Sequence, residues 1–322
     1  PGIGDPQMLF LANNVSRMMD DEQGTRIVEI HNGSSLFTGN ADGGESNLRR
    51  YIIENDLLEA IVAMPENMFY NTGIGTFVWI VTNRKEARRR GKVQLIDAIA
   101  IKTPLRKNLG NKNCETNEAD RRAIVDLLMR FEENEQSRIF DNREFGYWQV
   151  TVDRPLRLRV VPDADLSAGK LKEAEIALCR EAIANVAPEV PLTNWTLYAS
   201  ALHLKAALLK KLRPLITVAD PAANIVRDSK QLHLCETDPA LRDTEQIPLL
   251  YPGGIAAFME NEVLPYAPDA FVDEDKTVIG YELSFTKYFY RPVELRSRET
   301  IAAEIRELEA TTDGLLNAIL ND

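Results

Sequence analysis

LLEAIVAMPENMFYNTGIGTFVWIVT, residues 57–82, decides the fold. Leu57–Met64 is an unbroken apolar run of strand length, stopped by Pro65, and reads as a strand buried on both faces. Thr76–Thr82 is rich in β-branched and aromatic residues and reads as a second strand. The link 65–75 is too short for a crossover helix, which predicts antiparallel pairing. Upstream, Met8–Met19 has helical apolar spacing, and Asp20–Gly24 ends it with Gly24 as a left-handed cap. Thr25–His31 (TRIVEIH) reads as a strand, and 32–35 as a loop. The Gly-rich stretch 39–44 then precedes a helix carrying Leu48, Tyr51, Ile52 and Asn55. Downstream come a basic turn, Arg84–Lys92, and a short strand, Val93–Ala98. The alternation is that of an α/β doubly wound, mostly parallel sheet that ends in an antiparallel strand.

Beyond residue 100 the pattern is mixed but mainly helical. Helices are expected at Glu118–Phe131, Leu171–Val186 and Leu197–Leu212, with an extended stretch at Phe145–Val161 and a loop at 187–191. Gln231–Asp275 holds ten acids against one base, Arg242, and is a poor surface for a phosphate backbone. In Glu299–Leu320, Ile301, Ile305, Leu308, Thr312, Leu315 and Ile319 repeat at steps of four and three. That is a coiled-coil-like seam whose partner is internal or another chain. Three parts are expected: the sheet at 1–100, a mainly helical part at 101–298, and a docking helix at 299–322.

The chain has 322 residues, 44% hydrophobic and 27% charged, which excludes a disordered tail and a collagen-like fibre. Cys114, Cys179 and Cys235 lie far apart, so neither a zinc knuckle nor a disulfide framework is legible, and a reduced, cytoplasmic protein is expected. No apolar run approaches the ~20 residues of a membrane span. The net charge of −11 argues against an overall basic coat, though not against a local basic groove. Pro1–Gln7 reads as a loop entering a helix, and the chain as a piece of a longer protein.

His31, His203 and His233 have no neighbour spacing that suggests a metal site, and neither a nucleophile elbow nor paired catalytic carboxylates can be read in the sequence. His203, on a helix face of Leu and Ala, is expected to pack. Gly39–Gly44 lacks the Lys-Ser/Thr of a phosphate loop and reads as a mobile loop.

The words themselves are more specific. NGSSLFTGNA (32–41), GESNLRRYIIEND (44–56), LEAIVAMP (58–65), MFYNTGI (68–74) and KVQLIDA (92–98) closely resemble the modification subunits of type I restriction–modification systems. IFDN (139–142), FGY (145–147), RPLRL (154–158), EVLP (262–265), PDA (268–270) and IGYE (279–282) continue the likeness in order. The resemblance implies a Rossmann-like methyltransferase fold and an N6-adenine DNA methyltransferase using S-adenosylmethionine. It implies as partners a specificity subunit, a restriction/translocation subunit, a second modification subunit and double-stranded DNA, with no membrane. By the same resemblance, Asn32, Gly33, Phe37, Phe69, Asn71 and Thr72 belong near the target-base pocket. Phe37 or Phe69 would stack on a flipped base and Asn71 would touch its edge. The bland alternative has Phe69 and Tyr70 plugging a turn. Arg88, Arg89 and Arg90 are candidates for phosphate contact or a solvated charge run. Ile301, Ile305, Leu308, Leu315 and Ile319 are expected to dock the specificity subunit.

The family's Gly-rich cofactor loop and Asn-Pro-Pro-Phe/Tyr motif do not occur in this sequence. This chain alone is therefore expected not to transfer methyl groups. The competing readings are a non-catalytic assembly piece that docks the specificity subunit and DNA, and an unrelated nucleotide-binding α/β protein.

Overall fold

Stiff β-branched side chains and Trp79 favour extended backbone in the decisive segment. The computed structural model, which describes residues 1–186, 192, 194–228, 234–290 and 296–320 (the side chains of 309 and 312–320 excepted), makes it two strands. In chain order the first elements are α1 (Gln7–Ser16), β1 (Arg26–Asn32), the single turn α2 (Ser34–Phe37), α3 (Gly44–Glu54), β2 (Leu58–Met64), β3 (Thr76–Thr82) and β4 (Lys92–Asp97). There follow β5 (Thr103–Leu109), β6 (Lys112–Glu115), α4 (Glu118–Arg130) and β7 (Ser137–Asp141).

The first sheet has the order β1-β3-β2-β4-β7. β2 and β3 pair antiparallel, as the short link requires. β3 also pairs antiparallel with β1, β4 runs parallel to β2, and β7 is antiparallel to β4. The expected mostly parallel sheet is thus corrected. β1, β2 and β4 share one direction, but β3 returns between β1 and β2 instead of lying at the rim, so only β2 and β4 form a parallel pair. Gly24 is left-handed (φ 67°) as expected, though in the loop before β1, because α1 has already ended at Ser16.

On one face Ala60, Val62, Ile80 and Ile96 are buried under Ile124, Leu127 and Leu128 of α4. On the α1 and α3 side Met8, Leu11, Ile52 and Ile53 are buried, as are Trp79 and Val81 of the sheet. The α4 face is covered unevenly. Val28 lies opposite Ile80 and Ile30 opposite Val78, yet these two are 60% and 59% exposed. Among the described residues β1 has one neighbour in the sheet, and its outer edge carries no strand.

Residues 101–298 divide between strands and helices rather than being mainly helical. β8 (Gly146–Asp153) and β9 (Leu158–Val160) precede α5 (Glu173–Asn185), α6 (Trp195–Ala201), α7 (Ala206–Ile216) and β10 (Thr217–Ala219). β11 (Asp243–Pro248), α8 (Gly254–Phe258) and β12 (Phe271–Tyr281) follow. β11-β8-β12 is a second antiparallel sheet, whose core includes Val150, Val152 and Ile247. The expected helix Leu197–Leu212 is two helices, parted at His203, whose φ is 52°. His203 is exposed, so its expected packing role is corrected as well. The loop 187–191 and His233 lie outside the described residues.

Residues 1–283 form one unit; residues 284–322, with α9 (Phe285–Phe289) and α10 (Arg298–Leu320), form another.

Candidate functional site

Because β1 and β2 run the same way, both deliver their following loops to one rim of the sheet. Thr76, the first residue of β3, is opposite Asn32 on one side and Met64 on the other. The segments 32–37 and 65–75, placed together by resemblance, therefore start from adjacent strand ends. Carboxyl ends of parallel strands are where open α/β sheets bind ligands.

The first segment is held by a polar network. Asn32 Oδ1 accepts from Gln7 Nε2 (2.8 Å) and from the Ser34 amide (2.8 Å), while the Asn32 amide donates to Gln7 Oε1 (3.0 Å). Gln7 Nε2 and Ser34 Oγ both donate to Asp5 Oδ2 (2.7 Å each), and the Ser34 hydroxyl holds the Asp5 carboxyl below its usual range. The carbonyl of Asn32 is thus spent on shaping the loop. A Cβ on Gly33 would sit 3.3 Å from the Phe77 ring, so the residue type follows from close approach. Behind it Trp79 Nε1 donates to Ser35 Oγ (3.2 Å), and His31 is buried with its ring 5.5 Å from that of Trp79.

Arg49 fastens the far end. It is buried on α3 and donates to the carbonyls of Ser35 (3.0 Å), Thr38 (2.8 Å) and Tyr281 (2.7 Å). Burial lowers its pKa to about 10, which leaves it charged. This guanidinium binds the candidate loop to β12, and Tyr281 N in turn donates to Ser46 Oγ (3.0 Å). Phe37 emerges from the clamped turn 57% exposed. Arg49 carried one legible signal: Ser46, Arg49, Ile52 and Ile53 share the buried helical stripe, so a cation there must be satisfied inside.

In the second segment Phe69 and Thr72 form a β-bridge, with Tyr70 and Asn71 at the exposed tip. Phe69 is 37% and Tyr70 59% exposed, so neither ring plugs the turn. The hairpin β5–β6 leans on this loop. Asn111 N donates to Tyr70 O (3.0 Å), Asn113 N to Asn67 O (3.1 Å) and Cys114 Sγ to Glu66 O (3.2 Å). Gly110 is left-handed (φ 66°), and a Cβ there would lie 2.6 Å from Tyr70 O.

The basic triplet divides. Arg88 donates to the carbonyls of Arg130 (3.0 Å) and Met129 (2.6 Å), the open end of α4. Arg89 is buried, donating to Leu128 O and to Gln94 Oε1 (3.0 Å), with its guanidinium 4.4 Å from the Phe131 ring and 3.5 Å from the buried carboxylate of Glu59. Both cap orphan helix carbonyls, a favourable place for cations. Arg89 is therefore neither a solvated charge nor positioned for phosphate, whereas Arg90 is exposed.

The Gly39–Gly44 loop does not cradle a ligand. The Glu45 carboxylate lies against it, 3.0 Å from where a Gly39 Cβ would stand, and accepts from Gly2 N (2.6 Å). A bound anion would meet that carboxylate. Among the described residues no cluster of His, Cys, Asp and Glu could hold a metal, and no helix is long and apolar enough to cross a membrane.

In the second unit, Ile301, Ile305 and Leu308 are 39%, 57% and 68% exposed on α10. The side chains of Leu315 and Ile319 lie outside the described residues.

The N-6 DNA Methylase family model matches residues 9–146. The type I restriction enzyme MjaIX methylase subunit of Methanocaldococcus jannaschii is 33% identical over 120 residues, which is 37% of this chain and 20% of that protein. The HindI methylase subunit of Haemophilus influenzae is 39% identical over 72 residues, 22% of this chain and 15% of that one. A solved type I methyltransferase subunit from Streptococcus thermophilus aligns with TM-score 0.37 and 22% identity, covering 44% of this chain and 28% of that one. The chain thus spans a small part of the length of the curated relatives it matches. The matched stretch includes the sheet β1 to β7 and both rim loops, and over that stretch the chain is similar to N-6 DNA methylases and to the methylase subunits of type I restriction enzymes.

Proposed function

We propose that residues 1–100 are the C-terminal part of a Rossmann-like methyltransferase sheet in a type I modification subunit, which when complete moves a methyl group from S-adenosylmethionine to adenine N6 in DNA. The observation that carries this reading is β1: among the described residues no strand pairs with its outer edge, and Val28 and Ile30 stand exposed on the face that α4 covers further along. An apolar, unpaired edge is a ready template for another strand, and a parallel strand with its helix is the cover that continues this architecture. The rim loops then face the target base, with Phe37 and Phe69 as stacking rings, Asn71 as an edge contact, and Asn32, Gly33 and Thr72 shaping the turns.

The cofactor supplies the methyl group when bound; these residues orient the base and keep water from it. Calorimetry with S-adenosylmethionine should register no uptake by this chain and stoichiometric uptake by the chain extended upstream as it is encoded. Tight uptake by the unextended chain overturns the incompleteness part of the proposal.

Residues 101–298 serve assembly and DNA cradling in this reading, with the restriction/translocation subunit and a second modification subunit as further partners, and α10 docks the specificity subunit. The exposure of Ile301 and Ile305 supports that last assignment, because a heptad seam needs a helix to bury it. Ile305→Lys with Leu308→Lys should abolish co-purification of the specificity subunit while leaving the unfolding transition of the chain in place. Full retention of the partner rejects the docking role.

A further inference from the structure

We infer that the hairpin β5–β6 is a backbone-gripping arm for duplex DNA, built as one piece with the loop that presents Phe69 and Asn71. The inference rests on the reading above, that this rim faces a DNA base. Residues 101–115, IKTPLRKNLGNKNCE, carry Lys102, Arg106, Lys107 and Lys112 against one acid, Glu115, in a chain of net charge −11. Lys102, Arg106 and Lys107 are exposed, and among the described residues none of the four cations has a carboxylate within ion-pair distance. Elsewhere on this unit many arginines are already committed, as Arg26 is to Glu59, Arg84 to Asp20 and Arg154 to Asp269. The hairpin's positive charge is left unspent.

Two strands without a third are marginal on their own, so the hairpin needs other fastenings, and they show where it is aimed. Three donors, the amides of Asn111 and Asn113 and the Cys114 thiol, reach carbonyls of the loop 65–75, and Lys112 Nζ lies 5.2 Å from the Tyr70 ring. At its base Asn117 Nδ2 donates to Thr103 Oγ1, which donates to Asp120 Oδ2 at the start of α4 (2.7 Å each). An arm so tied carries its cations in fixed register with the tip Tyr70-Asn71. Fixed cations beside exposed aromatics suit a polyanion whose bases are handled nearby: phosphates position, and the loop engages the base. Asn108 and Asn111, exposed at the same end, add neutral donors that phosphate oxygens accept.

The test uses the full chain and a fluorescent duplex, titrated at several salt concentrations. R106Q/K107Q/K112Q should lower the slope of log affinity against log salt by about 2 to 3, since each phosphate contact contributes close to one. R106K/K107R/K112R should restore it, which separates charge from folding. The control R17Q, on an exposed side chain at the end of α1, should leave the slope at the parental value. A parental slope in the glutamine variant of a chain that binds DNA overturns the arm while leaving the wider reading intact. No DNA binding by the parental chain overturns both. Retained DNA binding together with loss of an acidic subunit from the glutamine variant overturns the arm in favour of a protein contact.

Discussion

Replacing Arg49 with Met should lower stability by about 3 kcal/mol or more, because carbonyl groups lose their donor inside the protein. Arg49 supplies all three carbonyls of Ser35, Thr38 and Tyr281 from one rigid fork. Met keeps most of the buried stem, so the loss reports unsatisfied acceptors rather than an empty space. Arg49→Lys should recover part of it, since an ammonium keeps the charge but cannot span three acceptors in a plane. The urea midpoint should fall with little change in the slope of the transition. Amide exchange at 34–38 should quicken in the Met variant even under conditions where the rest of the unit stays folded. An unmoved midpoint would show that the guanidinium is dispensable to the loop.

The second large effect belongs to Arg89. Its guanidinium closes the end of α4, lies over Phe131 and faces Glu59, whose side chain is 4% exposed. Removing one member of a buried charge pair costs up to about 3–5 kcal/mol; Glu59 keeps Arg26 at 2.9 Å, so much of the loss here comes from the uncapped carbonyl of Leu128 and the emptied space over Phe131. Arg89→Met should therefore be severe, and Arg89→Met with Glu59→Leu milder than the single change, which a double-mutant cycle measures directly. Losses that merely add would dissociate Glu59 from Arg89. The neighbouring Arg90→Ala, on an exposed side chain, should stay within about 0.5 kcal/mol of the parent. Three adjacent arginines of identical composition thus separate sharply once burial is considered.

That triplet shows where the sequence was readable and where it was not. Strands and helices with dense apolar content were legible: Thr76–Thr82 was found at both ends and Glu118–Phe131 within one residue, because their burial leaves a periodic trace. The antiparallel pairing of β2 and β3 followed from a link too short for anything else. The place of β3 between β1 and β2 did not follow, since neighbours in a sheet leave no mark on a local pattern. The hairpin β5–β6 was silent for the same reason. Its residues are mostly exposed and polar, and what holds it is a set of backbone hydrogen bonds to a loop more than thirty residues earlier. Leu197–Leu212 looked like one helix because apolar spacing does not register a left-handed residue at His203. At the rim, the residues identified by resemblance do lie on two adjacent loops. The side chains that fix those loops, Gln7 and Arg49, were missed because glutamine and arginine usually face water.

The insertion of β3 also sets an order of events during synthesis. β1 leaves the ribosome first, but the strand it pairs with is residues 76–82. Until those emerge, residues 26–32 lack their β3 partner, while β2 and β3 close on each other through a short loop with little loss of chain entropy. The nascent hairpin is therefore the template, and β1 must be recruited to it across the intervening α3. A ribosome stalled before residue 76 would hold out a sticky, half-apolar ribbon, the kind of segment on which holding chaperones act and aggregates begin.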